Sequence, residues 1–520
     1  MKNSSELYLK GINMHSNIFT SFLLFPIIMT GCSNVPPTGN STASYSASTS
    51  ASASASASAS ASASASASAS ASIVTLDNTK SLFPIAHYPQ HANSWIAPES
   101  KNYRVPFITK RQQNNAYHLL LSRYFGDNPT DVSPWNRHYI QSVLGPNGTV
   151  QQRLSHFTKK FTQPDKIYFG ENFRPLSPDW QKRMQFRASV PVDVTYSAAS
   201  RAITLRETLV RFLPVDSPAF ADARKAGQGY PFDMLQDSAL HPAEPVYIAG
   251  RTKDQSWSLV ISSSVIGWVK REDLAKASPD FIRRWTLAAK RQMVGVTNNE
   301  TVFIDKKGTF IFTARTGTLL PLTVVSGQER VLLPVAAANG DAVIRHLPLP
   351  DNSLQRVPVA ATPENMSTIM RHMQGVPYGW GNLYGYNDCS AEIRNLMLPF
   401  GLFLPRNSAD QAMSGHSIDL SHYSLDERLN YLMKFGKPFT TLIYIKGHVM
   451  LYIGNAEWQG KRVPLTYQNL WGLSPVAGDR RSIIGQAVFF PLLPVYPEDP
   501  QLVSPAGKAV FKLIYLDHIG

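Results

Sequence analysis

From Ala51 to Ser72 the chain alternates alanine with serine without a break. Period-two alternation is the pattern of a strand, yet neither side chain brings enough apolar area to offset the entropy of ordering so uniform a segment. The stretch reads as a flexible tether. It separates a short N-terminal piece from the only part of the chain with the composition to build cores. The tether region is expected to cover residues 33–79.

Ahead of it, Lys2 and Lys10 precede an apolar stretch from Ile18 to Met29, broken by Thr20, Ser21 and Pro26. That is too short to span a bilayer as a mature helix and has the size of a signal-peptide apolar region. It ends in Met29-Thr30-Gly31-Cys32, which resembles a bacterial lipobox, the signal at which a cysteine is lipidated and becomes the first residue. An ordinary secretory signal with a chance cysteine is the alternative. Met14 is a second possible start and leaves the same lipobox. Ser33 resembles the outer-membrane sorting pattern. Residues 1–32 are thus expected to be a lipoprotein signal peptide with Cys32 as the lipidation site. The expected product is an exported bacterial protein, lipid-anchored to the outer membrane and facing the periplasm.

The 520 residues exceed what one core organises, so three or four units are expected. An apolar share of 43% with 11% aromatics excludes global disorder, and the sequence does not read as a polytopic membrane protein. Fifty Lys and Arg against 36 Asp and Glu leave +14, which suits a polyanionic neighbour. Nucleic acid is set aside, because the chain is exported and its basic residues are scattered without interleaved aromatics. Two cysteines, Cys32 and Cys389, cannot form a multi-disulfide framework or a cysteine-rich zinc site. No HExxH, P-loop or dinucleotide glycine fingerprint occurs, so no metal and no cofactor is expected.

The fold class expected is multidomain α+β. Residues 80–190 read as an α-rich N-terminal stabilising unit, with helical runs such as Gln113 to Tyr124. Residues 191–290 read as a small β-barrel followed by a connecting helix from Pro279 to Lys290. Its Gly267-Trp268-Val269 step, with Trp257 upstream, resembles a bacterial SH3-like domain, in which the segment from Gly229 to Asp233 forms a long loop beside the barrel. Residues 291–355 repeat the texture as a second, more divergent barrel. A Pro- and Ala-rich linker from about Leu347 to Pro363 leads into the last unit, residues 356–520.

Chemistry concentrates in that last unit. Thr362-Pro363-Glu364 starts a helix by hydroxyl cap, proline and early carboxylate. Its Met366, Ile369, Met370 and Met373 stripe reads as core packing. A Gly- and Tyr-rich loop, from Val376 to Asn387, runs into Asp388-Cys389-Ser390. Ile393, Leu396, Met397 and Phe400 then recur at helical spacing, ending before Gly401. Cys389 therefore sits at or near a helix N-terminus, where dipole and unpaired N–H groups favour a thiolate and lower the thiol pKa toward neutrality. A thiolate is the nucleophile for acyl transfer; the alternative is a small buried hydrophobe. Among thirteen histidines, His448 has the right setting. It opens a strand expected to run to Ile453 and end at Gly454-Asn455, just after the strand from Thr441 to Ile445. His416 and His422 lie in a polar loop, and His372 is on the polar side of its helix. A third strand, Val463 to Gln468, offers Gln468 or Asn469 as an amide oxygen accepting the imidazole Nδ1 proton.

Tyr378-Gly379-Trp380-Gly381, then Asp388-Cys389-Ser390, then Leu404-Pro405-Arg406-Asn407-Ser408 with Gln411, then Gly447-His448-Val449, together resemble the NlpC/p60 family of cell-wall cysteine peptidases. The likeness covers about residues 360–490. With the upstream barrels it resembles the branch carrying an N-terminal stabilising unit and two SH3-like domains. It implies a papain-like hydrolase of peptidoglycan stem peptides or muropeptides, a γ-D-glutamyl–diamino acid endopeptidase that cuts beside diaminopimelate. It further implies Cys389 as nucleophile, His448 as general base and Gln468 as the third polar residue, often His in the family. Tyr378 would flank the oxyanion site. Asp388, Ser390 and Ser408 match positions that hold a substrate's free L-Ala amino terminus, with an SH3-like domain closing one end of the groove. The chain departs from the pattern at Asn382, Ala391 and Gln468. A non-catalytic wall-binding lipoprotein, using its barrels with Cys389 vestigial, is the rival reading.

Overall fold

A three-residue strand, Lys80–Leu82, opens the folded body by pairing parallel with Arg481–Pro491, four hundred positions along the chain, in the register Lys80 to Arg481. The computed structural model describes residues 79–163, 165–349 and 353–516. The expected signal peptide, the lipidation residue Cys32 and the Ala/Ser tether up to residue 78 lie outside them. The sheet that Lys80–Leu82 joins has seven strands, which lie in the order Lys80–Leu82, Arg481–Pro491, Lys461–Leu473, His448–Trp458, Thr441–Ile445, Lys512–Tyr515 and His416–Asp419. All its other pairings are antiparallel.

That first strand redraws the N-terminal boundary. Phe83 and Tyr88 pack with Val488, Phe490 and Tyr496 of the last unit. Ile96, Ile108 and Ala116 lie in the same core as Met366, Cys389 and Leu396. Residues 80–109 are thus a strap on the C-terminal unit, not part of a separate helical domain. Four helices follow it: Lys110–Phe125, Arg137–Val143, Thr149–Phe161 and Pro178–Ala188. The first is fixed by a capping box between Thr109 and Gln112, which satisfies two orphan N–H groups.

The first barrel has seven antiparallel strands between Arg201 and Lys276, closed over Val210, Val246, Ile248, Val260 and Val269. The helix after it, Pro279–Arg291, begins at a Ser278 cap with proline at its first turn. Its buried Phe281 and Trp285 stack at 5.3 Å and share a core with Val294, Leu320 and Leu333. The connecting helix therefore forms a wall of the second β unit, a five-stranded sheet plus the hairpin Thr301–Ile304 and Phe310–Ala314. The expected linker is shorter than its composition suggests, because Leu354–Val357 pairs with Met293–Val296 as an edge strand of that sheet.

In the last unit, Thr362 caps the helix Pro363–Met373, and its Met366, Ile369, Met370 and Met373 are buried core. Every residue of the helix Cys389–Met397 is buried. A tight turn, Leu398–Phe400, carries it to Gly401 at φ 79°, a left-handed conformation that a β-carbon disfavours. The strand expected to stop at Gly454 instead runs on to Trp458, through a register shift between Tyr452 and Gly454. Gly454 absorbs the irregularity at φ 131°. Among the described residues no helix is long and apolar enough to cross a membrane.

Candidate active site

Asp388 caps the helix that begins with Cys389, its side chain accepting from the Ala391 amide at 2.9 Å. Cys389 is a free thiol, buried at the helix N-terminus. The backbone N–H of Val449 donates to its sulfur. Val449 follows His448, so the first residues of the strand His448–Trp458 lie directly against the start of the nucleophile helix. On the neighbouring strand, Lys461–Leu473, Gln468 presents its Oε1 to His448 Nε2 at 2.6 Å and donates its own amide to Thr466 Oγ1 at 2.9 Å.

Gln468 was expected to meet the imidazole at Nδ1, and the structure puts it at Nε2. Rising from the next strand, the long amide side chain reaches the tip of the ring rather than the nitrogen near its backbone. The chemistry improves for it. An amide oxygen can only accept, so Nε2 carries the proton and Nδ1 keeps the free lone pair.

The expected depressed thiol pKa is also corrected. Burial, and then the negative charge of Asp388, push the Cys389 thiol up to about 12, against smaller opposing pulls from the Val449 amide and Arg406. Burial likewise lowers the His448 imidazole to about 4, although Gln468 and Asp388 favour its charged form. The resting pair is a neutral thiol beside a neutral imidazole. Desolvation outweighs the helix dipole, which is worth at most ~2 kcal/mol.

Tyr378 is buried near the start of the preceding loop, its amide bonded to Gly485 O at 2.8 Å and its ring 5.8 Å from Trp471. Burial and the nearby charges of Cys389 and Asp388 hold its phenol well above its ordinary pKa, so it is a permanent donor. Beyond it the loop Trp380–Gly385 is left-handed at Gly381, Asn382 and Tyr384. Asn382 fits that conformation better than most residues and donates to Asn387 Oδ1 at 2.9 Å.

Asp388, Ser390 and Ser408 do not form an open trio. Asp388 accepts from both terminal nitrogens of Arg406, at 3.0 and 2.7 Å, from the Gly381 amide at 3.1 Å and from Ser390 Oγ at 3.1 Å. Burial alone would raise its carboxyl, and the guanidinium outweighs that and holds it below the carboxylate range. Asp388 and Ser390 therefore brace the start of the helix that carries Cys389. Ser408 is half-buried at the first turn of the short helix Ser408–Gln411.

Two residues carry weight that sequence reasoning did not assign. Arg406 joins Asp388 and Ser390 to Ser238 of the first barrel at 2.7 Å. Its signal was its place in the Leu404-to-Ser408 motif. Glu392, three residues after Cys389, is fully buried. It accepts from Tyr467 Oη at 2.5 Å, Asn387 Nδ2 at 2.9 Å and Asn469 Nδ2 at 3.4 Å. Burial lifts it to about 7. Among the described residues no cluster of His, Cys, Asp and Glu could hold a metal ion.

A profile for an SH3 domain (SH3b1 type) matches residues 218–270, the heart of the first barrel. The solved structure of an NlpC/P60 endopeptidase from Photobacterium damselae subsp. piscicida superposes with a TM-score of 0.73 at 23% identity, covering 84% of this chain and 99% of that one. The chain has the NlpC/P60 fold. It is also 24% identical over 192 residues to the γ-D-glutamyl-L-lysine dipeptidyl-peptidase of Bacillus subtilis (strain 168). That match spans 37% of this chain and 58% of the relative's length.

In this chain the SH3-like barrel is part of the site's wall. Gln236 donates to the Gly381 carbonyl at 2.8 Å, and Phe232 packs edge-on against Trp380 at 5.3 Å and Trp471 at 5.7 Å. The Arg406–Ser238 bond completes the attachment. A thiol at a helix start, an imidazole oriented by an amide and a neutral phenol donor are together equipped for acyl transfer.

Proposed function

We propose that this protein is a cysteine endopeptidase of peptidoglycan stem peptides, cutting the γ-D-glutamyl–diamino acid bond. The observation that carries the reading is the Val449–Cys389 contact beside an imidazole held through Nε2 by Gln468. Binding of a peptide displaces water. Cys389 Sγ then attacks the carbonyl carbon as its proton passes to His448 Nδ1. The developing oxyanion takes hydrogen bonds from the Cys389 backbone N–H and from Tyr378. The imidazolium returns its proton to the departing amine, which leaves a thioester. Water, deprotonated by the same imidazole, hydrolyses it. The SH3 barrel, fixed to the loop Trp380–Gly385, limits one end of the groove and favours short stems with a free L-Ala terminus. Cys32 is proposed as the lipid attachment that places the enzyme on the outer membrane, facing the periplasm.

The test is mass spectrometry of muropeptides with and without a free L-Ala end. Wild-type protein should release L-Ala-D-Glu or diaminopimelate-containing fragments, and Cys389→Ala should release none while keeping its circular dichroism. Equal digestion by the variant ends this reading.

A further inference from the structure

We propose that the cavity between the first barrel, the segment 169–173 and the loop Trp380–Gly385 is a saccharide-binding site. It encloses about 540 Å³ and includes none of Cys389, His448 or Gln468. That volume falls in the ~300–1,000 Å³ range of ligand sites.

Three aromatic side chains on its lining, Phe173, Tyr230 and Tyr384, are 54%, 55% and 59% exposed. Phe173 and Tyr384 also hold φ 60°, a left-handed backbone that costs energy for any residue with a β-carbon. Both rings stand more than half exposed and so are free to stack against a ligand. The Tyr384 hydroxyl lies near enough to that of Tyr230 for its charge to be felt there, so these two rings face one space.

The charges indicate which ligand. The cations on the lining are Arg211, bonded to Asp233, and Lys270, 2.5 Å from Asp216 and 4.5 Å above the Trp257 ring. Both are already neutralised, so the cavity offers little to a phosphate or carboxylate ligand despite the chain's net charge of +14. Lining carboxylates remain within reach of solvent: Glu171 is exposed, and the Asp216 side chain is 70% exposed. Aromatic platforms beside carboxylate acceptors suit a neutral pyranose, which has an apolar C–H face and donor hydroxyls at its edge. The inference stands apart from the peptidase reading, since sugar oligomers carry no peptide bond to cut.

Calorimetric titration of the full chain with the N-acetylglucosamine tetramer and with cellotetraose tests it. At least one oligomer should bind, and the tighter one identifies the sugar class. Phe173→Gly and Tyr384→Ala should each weaken binding by about tenfold. Phe173→Gly should at the same time raise Tm or leave it unchanged, because glycine relieves the left-handed backbone. Cys389→Ala should bind as wild type does. Failure of both oligomers to bind at ~10 mM, or binding that survives both aromatic substitutions, overturns the proposal.

Discussion

Replacing Glu392 with glutamine should make the protein more resistant to urea at alkaline pH and leave it little changed in acid. The carboxyl belongs to the helix Cys389–Met397 and is buried, and burial moves its titration from 4.5 to about 7. Between those values the folded chain keeps a proton that the unfolded chain releases, so stability falls as pH rises through that window. Above it the full cost of the buried charge is present, on the order of 3 kcal/mol. Glutamine cannot ionise and escapes that cost. The hydrogen-bond partners tolerate the exchange. Its carbonyl can still accept from Asn387, the Tyr467 hydroxyl can turn to accept, and Asn469 Oδ1 is buried without a donor and can take an amide hydrogen. The gain should therefore be near zero at pH 4 and approach ~3 kcal/mol at pH 8, less whatever the short Tyr467 bond contributes to the charged form. Urea midpoints read from tryptophan fluorescence, compared between the two chains at each pH, cancel the contributions they share. A midpoint difference that stays constant from pH 4 to pH 8 would falsify the account, since it would mean that the carboxyl does not titrate there.

The remaining predictions concern the pair and its support. The acid limb of kcat/KM should lie near pH 4, well below an ordinary imidazole, because burial of His448 disfavours its charged form. A limb near 6.5, the ordinary histidine value, contradicts that. Iodoacetamide should alkylate Cys389 slowly at pH 6, since burial holds the sulfur protonated; rapid labelling would show a thiolate at rest. Gln468→Ala should lower kcat ~10–100-fold with KM nearly unchanged, because its side-chain hydrogen bonds go to the imidazole and to Thr466. Arg406→Met should cost ~3–5 kcal/mol in urea unfolding by leaving Asp388 buried and unpaired, and Asp388→Asn in the same chain should recover part of it.

How much of this was legible depended on distance along the chain. The helix that begins at Cys389 was readable because its determinants are local: a polar run ending in Asp388, apolar residues at helical spacing, and Gly401 as the stop. The pairing of His448 with Gln468 followed from adjacent strands. Which ring nitrogen the amide meets did not, since that depends on side-chain reach across the sheet. Lys80–Leu82 carried no signal: all three residues are exposed and their partner strand begins at Arg481. Leu354–Val357 was hidden the same way, within a stretch whose Pro and Ala content reads as linker. Glu392 was visible as the lone acid in an otherwise mostly apolar helix start, yet only the fold shows that Tyr467 and Asn469 bury it.

The charge state of Cys389 shows why position alone was an insufficient guide. A helix N-terminus favours a thiolate, but the same helix start requires a cap, and here the cap is a carboxylate. Asp388 raises the titration of Cys389 and also that of His448. For moving a proton from sulfur to nitrogen these two effects oppose each other, since the carboxylate disfavours the thiolate and favours the imidazolium. Its net influence on the transfer is the difference between two opposing interactions, further weakened by the Arg406 guanidinium bound to both of its oxygens. Asp388 therefore acts on the chemistry by holding Cys389, Ser390 and the Gly381 loop in place. In the mechanism proposed above, what then favours the ion pair is whatever arrives to solvate it: a substrate carbonyl whose oxygen would become the anion, with Tyr378 and the Cys389 backbone N–H as its proposed donors. On this view the thiolate is a product of substrate binding, and a sulfur that stays protonated at rest is also protected from adventitious oxidation.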